Sequence, residues 1–228
     1  MTAAAFADQP ARKFVYPDSP RSEQTDTYHG VQVADPYRAL EAGNAPATKA
    51  WVEAQNKVTF AYLESIPDRK KIEARLTELW NYERYSIPTK EGGRYFYSRN
   101  DGLQPQSVLY VADKLADVPR VLLDPNTYRA DGTVALAGTR VSWDGNLLAY
   151  GIADAGSDWN TWRVRDVATG KDLPDEIKWV KFSGASWSKD NSGFYYSRYD
   201  APDEGQKLHA LNENQQVYFH RLGTPQSE

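Results

Sequence analysis

The sequence has no cysteine among its 228 residues. Disulfides, thiolate metal sites and a cysteine nucleophile are thereby excluded. A cysteine-free chain fits a reducing compartment. A cytoplasmic location is the expectation, with a periplasmic or secreted one as the alternative had a leader been removed. Histidine is also scarce: His29, His209 and His220 stand in unrelated contexts. The Gly-x-Ser-x-Gly elbow of serine hydrolases is missing, so no catalytic residue is expected within the chain. His-x-x-x-His pairs are missing too, and Asp124, Asp131, Asp144 and Asp190 fall at turns, where Asp bonds its own backbone. Gly92-Gly93 is isolated rather than part of a phosphate loop. Neither a metal nor a cofactor is expected. No apolar run approaches the ~20 residues of a membrane span, and Met1–Lys13 shows no basic start followed by an apolar core. With a net charge of −4 and no basic stripe, neither a membrane nor nucleic acid is an expected partner.

What the chain does have is aromatic mass: seven Trp, fifteen Tyr and seven Phe. Rings bury large areas, so a core is feasible despite the modest aliphatic content. Ala47, Trp51, Ala54, Val58, Tyr62 and Ile66 recur at spacings of three and four, which predicts one helix starting near Asn44 or Pro46 and ending at Pro67. Asp68 is suited to cap a second helix along Ile72, Leu76, Leu79 and Trp80. The two are read as a helical hairpin.

Beyond Glu83 the helical period vanishes. Short strand-like runs follow at Arg94–Ser98, Ser107–Val111, Arg120–Leu123, Asn146–Tyr150, Asn160–Arg165, Gly193–Tyr196 and Gln216–His220, separated by Gly- and Asp-rich turns. Gly93, Gly145 and Gly193 each precede an aromatic-bearing strand, at separations of 52 and 48 residues, and Ser142-Trp143 and Ser186-Trp187 precede two of the turns. Such a period with four short strands per unit predicts β-propeller blades. From Arg84 to Glu228 there is room for about three, whereas propellers close with roughly four to eight, so the propeller is read as incomplete. An open β-sandwich is the alternative. The long polar stretch Tyr199–Gln215 is read either as a gate or as a tolerated insertion.

The ordered segments Tyr16-Pro17, Tyr28-His29-Gly30, Val33-Ala34-Asp35-Pro36-Tyr37, Val52–Lys57, Arg94–Tyr97, Leu123–Asn126, Asp131–Leu136, Gly156-Ser157-Asp158-Trp159, Val180-Lys181-Phe182-Ser183 and Leu222-Gly223-Thr224 resemble the N-terminal third of the prolyl oligopeptidases. The resemblance implies a mixed fold. Residues 1–81 would be the N-terminal α-helical arm of an α/β-hydrolase domain, and residues 82–228 the first three or so blades of a seven-bladed all-β propeller. It also implies a serine endopeptidase acting on short proline-containing peptides, with the catalytic residues in a C-terminal hydrolase domain beyond this chain. The complete protein would be a monomer. The family's outer-subsite phenylalanine corresponds to Phe182. Blade geometry places Asp158 and Trp159 on the same propeller face, and all three are expected substrate contacts. A core position is the alternative for Phe182, and an Asx-turn for Asp158. A non-enzymatic binding module and an oligopeptidase of different residue preference are the competing functions. The helical arm argues against the first, and the Gly-Ser-Asp-Trp segment against the second.

Overall fold

Pro46 stands where its missing N–H is no loss, and the first helix, α1 (Pro46–Glu64), starts on it, with Ala45 in extended conformation just before. A second helix, α2 (Arg69–Trp80), follows Pro67. The computed structural model describes residues 14–205, 207 and 211–226. The chain divides into two compact units, Met1–Leu76 and Thr77–Glu228.

In the first unit the chain folds before α1 into a hairpin that periodicity does not reveal: β1 (Thr25–Tyr28) pairs antiparallel with β2 (Val31–Ala34). Its turn is His29-Gly30, with φ of +52° and +83°. Both residues are left-handed, as the twist-matched two-residue turn requires. Arg38 braces the hairpin by pairing with Asp26 and Asp35, and its hydrogen bond holds the Asp26 carboxyl below its ordinary range. Trp51 Nε1 donates to Ser19 Oγ at 3.2 Å, and the Phe14 ring packs edge-on against Tyr62 at 5.2 Å. α2 buries no side chain, and its apolar line Ile72, Leu76, Leu79 and Trp80 is exposed. Neither helix is long and apolar enough to cross a membrane.

The second unit is built of three antiparallel sheets in chain order. The first has β5 (Arg94–Asn100), β6 (Val108–Ala112) and β7 (Arg120–Leu123) in sequence, with β3 (Arg84–Tyr85) and β4 (Thr89–Glu91) both paired to β5. Pro88 breaks what would be one outer strand, because it cannot donate to the ladder. The second sheet is a four-strand meander of β8 (Val134–Val141), β9 (Leu147–Asp154), β10 (Asn160–Asp166) and β11 (Asp172–Val180). The third holds β12 (Ser186–Trp187), β13 (Gly193–Arg198) and β14 (Gln216–Arg221).

Two apolar clusters join neighbouring sheets. Phe96, Val111 and Leu123 of the first sheet pack with Leu148 and Tyr150 of the second. Trp162, Ile177 and Val180 of the second pack with Trp187, Phe194 and Tyr196 of the third. Each fully buried side chain of this size contributes about 1.5–3 kcal/mol. The repeat shows in four polar contacts that join residues 47 or 48 apart: Trp187 Nε1 to Arg140 O, Trp143 N to Asn191 Oδ1, Gly223 N to Asp175 Oδ1 and Trp159 Nε1 to Lys207 O. Equivalent positions of successive sheets therefore meet. Turns meet as well: a Cβ on Gly92 would lie 1.9 Å from Asp144 O, so only glycine lets the first two sheets approach there. Between these sheets lies a cleft of about 710 Å³ lined by Ile87, Phe96, Gln106, Leu136 and Val141, among others.

Candidate functional site

The sequence-selected residues lie where the β9–β10 loop, the β11–β12 link and the segment after β13 come together. In the first loop Ala155 and Gly156 take left-handed backbone, with φ of +50° and +74°, and Ser157 Oγ accepts the Trp159 N–H at 3.2 Å. This turn drives Trp159 inward to 7% exposure. At the end of β11 and in its link to β12 two bulky residues are left-handed, Trp179 at φ +61° and Phe182 at +55°. Such positions are strained for residues with a Cβ and persist only where the surroundings hold them. Between them Val180 and Lys181 are buried, and Phe182 turns outward to 65% exposure.

The result is an aromatic wall carrying one cation. Trp159 packs edge-on against Trp179 at 5.7 Å and Tyr199 at 6.1 Å, and Tyr199 N–H donates to Trp179 O at 3.2 Å. The Lys181 ammonium lies 4.7 Å above the Trp159 ring and 5.5 Å from the Phe182 ring, within cation–π range of both. It donates to Asn212 Oδ1 at 2.9 Å. The segment after β13 is tied to this wall at two further points. Trp159 Nε1 donates to Lys207 O at 2.8 Å, and Gln215 Nε2 donates to Lys181 O at 3.1 Å. At the end of β9, a two-pronged bond from Arg129 at 2.6 and 3.1 Å holds the Asp154 carboxyl below its ordinary range.

Of the three residues chosen from sequence, Phe182 is exposed, which removes the core alternative. Trp159 belongs to the buried wall. Asp158 is exposed, and its carbonyl accepts from Asn160 Nδ2 at 3.1 Å. The hydroxyl of Ser157, one residue earlier, makes the turn bond that an Asx reading assigns to Asp158. Lys181 joins Trp159 to Phe182, yet sequence reasoning passed over it. A lysine flanked by apolar residues in Trp-Val-Lys-Phe was the available signal. The Tyr199–Gln215 stretch is described apart from residues 206 and 208–210, and His209 lies outside the described residues.

His29 sits in the β1–β2 turn. His220 is buried and bonded. Its Nε2 lies 2.7 Å from Asp175 Oδ1, with both side chains about 1% exposed, and Asp175 Oδ1 also accepts the Gly223 N–H at 2.8 Å. This pair links β11 to β14 and serves packing.

Comparison with known proteins places this geometry. Residues 17–228 match the family model of the prolyl oligopeptidase N-terminal beta-propeller domain. The chain belongs to that family. It is 46% identical over 225 residues to the prolyl endopeptidase of Elizabethkingia meningoseptica, covering 99% of this chain and 32% of the relative. To the prolyl endopeptidase of Elizabethkingia miricola it is 44% identical, with the same coverage. A solved structure from a study of two prolyl endopeptidases superposes with a TM-score of 0.84 at 35% identity, over 94% of this chain and 32% of that one. Prolyl oligopeptidase B from Galerina marginata, bound to a 35mer hydrolysis and macrocyclization substrate, superposes with a TM-score of 0.79 at 33% identity, over 93% of this chain and 32% of that one. The chain thus spans about a third of the length of the relatives it matches. The three sheets are therefore those of a β-propeller domain.

Proposed function

We propose that this chain is the N-terminal portion of a serine endopeptidase that cleaves short peptides on the carboxyl side of proline, with the catalytic residues outside it. The observation that carries this reading is the match along nearly the whole chain to prolyl endopeptidases, at up to 46% identity. In this reading the three sheets are blades one to three of a seven-bladed propeller. Residues 1–81 are the arm of the α/β-hydrolase domain, and the exposed apolar line of α2 is the surface that the rest of that domain covers. The propeller screens the active site and admits short peptides.

The same reading gives the aromatic wall a role. Phe182 offers an apolar contact to a residue upstream of the proline. Trp159 backs that surface, and Asp158 faces the domain interface. The strain accepted at Phe182 supports this, since outward display of a large ring by left-handed backbone serves no packing purpose. The test is a chromogenic Gly-Pro peptide offered to the full-length protein. Cleavage after proline is expected. Cleavage only after Arg or Lys would assign the chain to an oligopeptidase of another preference, and no cleavage of any peptide would overturn the reading.

A further inference from the structure

Lys181 is a charged residue only 9% exposed, and among the described residues no carboxylate lies within ion-pair distance of it. Two arginines of the second sheet do find one: Arg165 pairs with Asp172 at 2.7 Å, and Arg163 with Glu176. Lys181 has a neutral amide oxygen at 2.9 Å and two ring faces instead. An ammonium has three donors, and the hydrogen bond to Asn212 uses one. Burying a cation away from water without a counter-charge is costly, so this arrangement is short of one negative group.

The cation lies 5.5 Å from a ring that is itself displayed to solvent. A ligand lying on Phe182 therefore passes within reach of the Lys181 ammonium. Its immediate neighbours are the Trp159 and Phe182 rings and the uncharged Asn212 amide.

We propose that Lys181 is a specificity-determining residue that reads an acidic side chain, Glu or Asp, in the peptide lying against Phe182. The peptide supplies the carboxylate that the fold withholds, and the Phe182 ring carries the apolar stem of that side chain. This rests on the prolyl-endopeptidase reading for the reaction, but the recognition itself is a property of the wall. Charge-assisted bonds are roughly twice as strong as neutral ones. A preference on the order of two- to five-fold in KM for the acidic peptide over its amide counterpart is expected.

The experiment uses the full-length protein and peptides of one sequence, carrying Glu or Gln in turn at each of the three residues before the proline. At one position KM is expected to be lower for Glu than for Gln, with kcat unchanged and the difference shrinking in high salt. In Lys181→Met the ratio falls to one, and Lys181→Arg restores it. Equal KM values at all three positions, or a preference that survives Lys181→Met, would overturn the assignment. Calorimetric binding of the same peptides separates this from the reaction. Lys181-dependent Glu preference in binding without cleavage supports the site and refutes the reaction. Cleavage without such preference refutes the site and leaves the reaction standing.

Discussion

Asp175→Ala should be among the most damaging single substitutions in the second unit. The Asp175 side chain is 1% exposed and accepts from the buried His220 Nε2 at 2.7 Å and from the exposed Gly223 N at 2.8 Å. Truncation leaves the imidazole donor without a partner in the core, whereas the Gly223 amide can turn to water. An unsatisfied buried donor costs about 1–3 kcal/mol, and a loss in that range is expected. Because the pair ties the last strand of the second sheet to the third sheet, the loss should appear where β11 meets β14. Urea denaturation followed by tryptophan fluorescence reads it, since Trp162 and Trp187 lie in the cluster between these sheets. Asp175→Asn keeps one acceptor and should cost less than Asp175→Ala. Removing His220 as well should show a coupling of about 0.5–3 kcal/mol in a double-mutant cycle. A loss under about 1 kcal/mol for Asp175→Ala, or zero coupling with His220→Ala, would refute the reasoning.

In the full-length enzyme, Phe182→Ala should raise KM with little change in kcat, by apolar contact worth about 1–3 kcal/mol at most; a collapse of kcat at constant KM would show a different role. Phe182→Gly should bind peptide as poorly as Phe182→Ala but melt at a higher temperature, because glycine relieves the left-handed φ of +55°. Gly92→Ala places a Cβ 1.9 Å from Asp144 O at a φ of +51° and should destabilise by more than about 1 kcal/mol. Gly156→Ala, with nothing within 4 Å at a φ of +74°, should suffer the conformational strain alone and be milder. Asp190 accepts from the Ser188 hydroxyl and from the Ser192 amide and hydroxyl, which lowers its pKa from the ordinary 3.8 to about 2. A depressed folded-state value stabilises above the unfolded one. The contribution should therefore be intact above pH about 4 and vanish as the pH falls through about 2. Thermal melts of Asp190→Asn should show a shallower loss of stability across that window than the parent, and identical acid limbs would count against it.

Local signals carried the helices and most strands. Pro46 and Pro67 bracket α1 as read, and the turn glycines Gly93, Gly145 and Gly193 mark where successive sheets begin their third, second and second strands. The β1–β2 hairpin escaped because four-residue strands hold too little alternation, and because His29, not Asn or Asp, fills the left-handed turn. From the sequence only Lys171–Leu173 reads as a strand here, whereas β11 runs Asp172–Val180. Pro174 and four charged residues disguise it, and they are tolerated because β11 is the edge of its sheet. In the site, Phe182 was legible through its motif and its exposure was not, since that depends on the left-handed backbone on either side of Val180-Lys181. The bond of His220 was not legible because its partner Asp175 lies 45 residues away on another sheet, a separation at which no local pattern exists. Lys181 went unnoticed for the same reason: Asn212 and Trp159 become its neighbours only when two sheets and a loop converge.

The most direct measurement is the position of the bond cut in the full-length protein, read by mass spectrometry of a peptide library with proline, arginine, lysine and alanine at the scissile position. Products ending in proline, from short peptides and not from folded proteins, are the predicted result. Products ending in arginine or lysine, or an intact library, would contradict the assignment of this propeller to a prolyl endopeptidase.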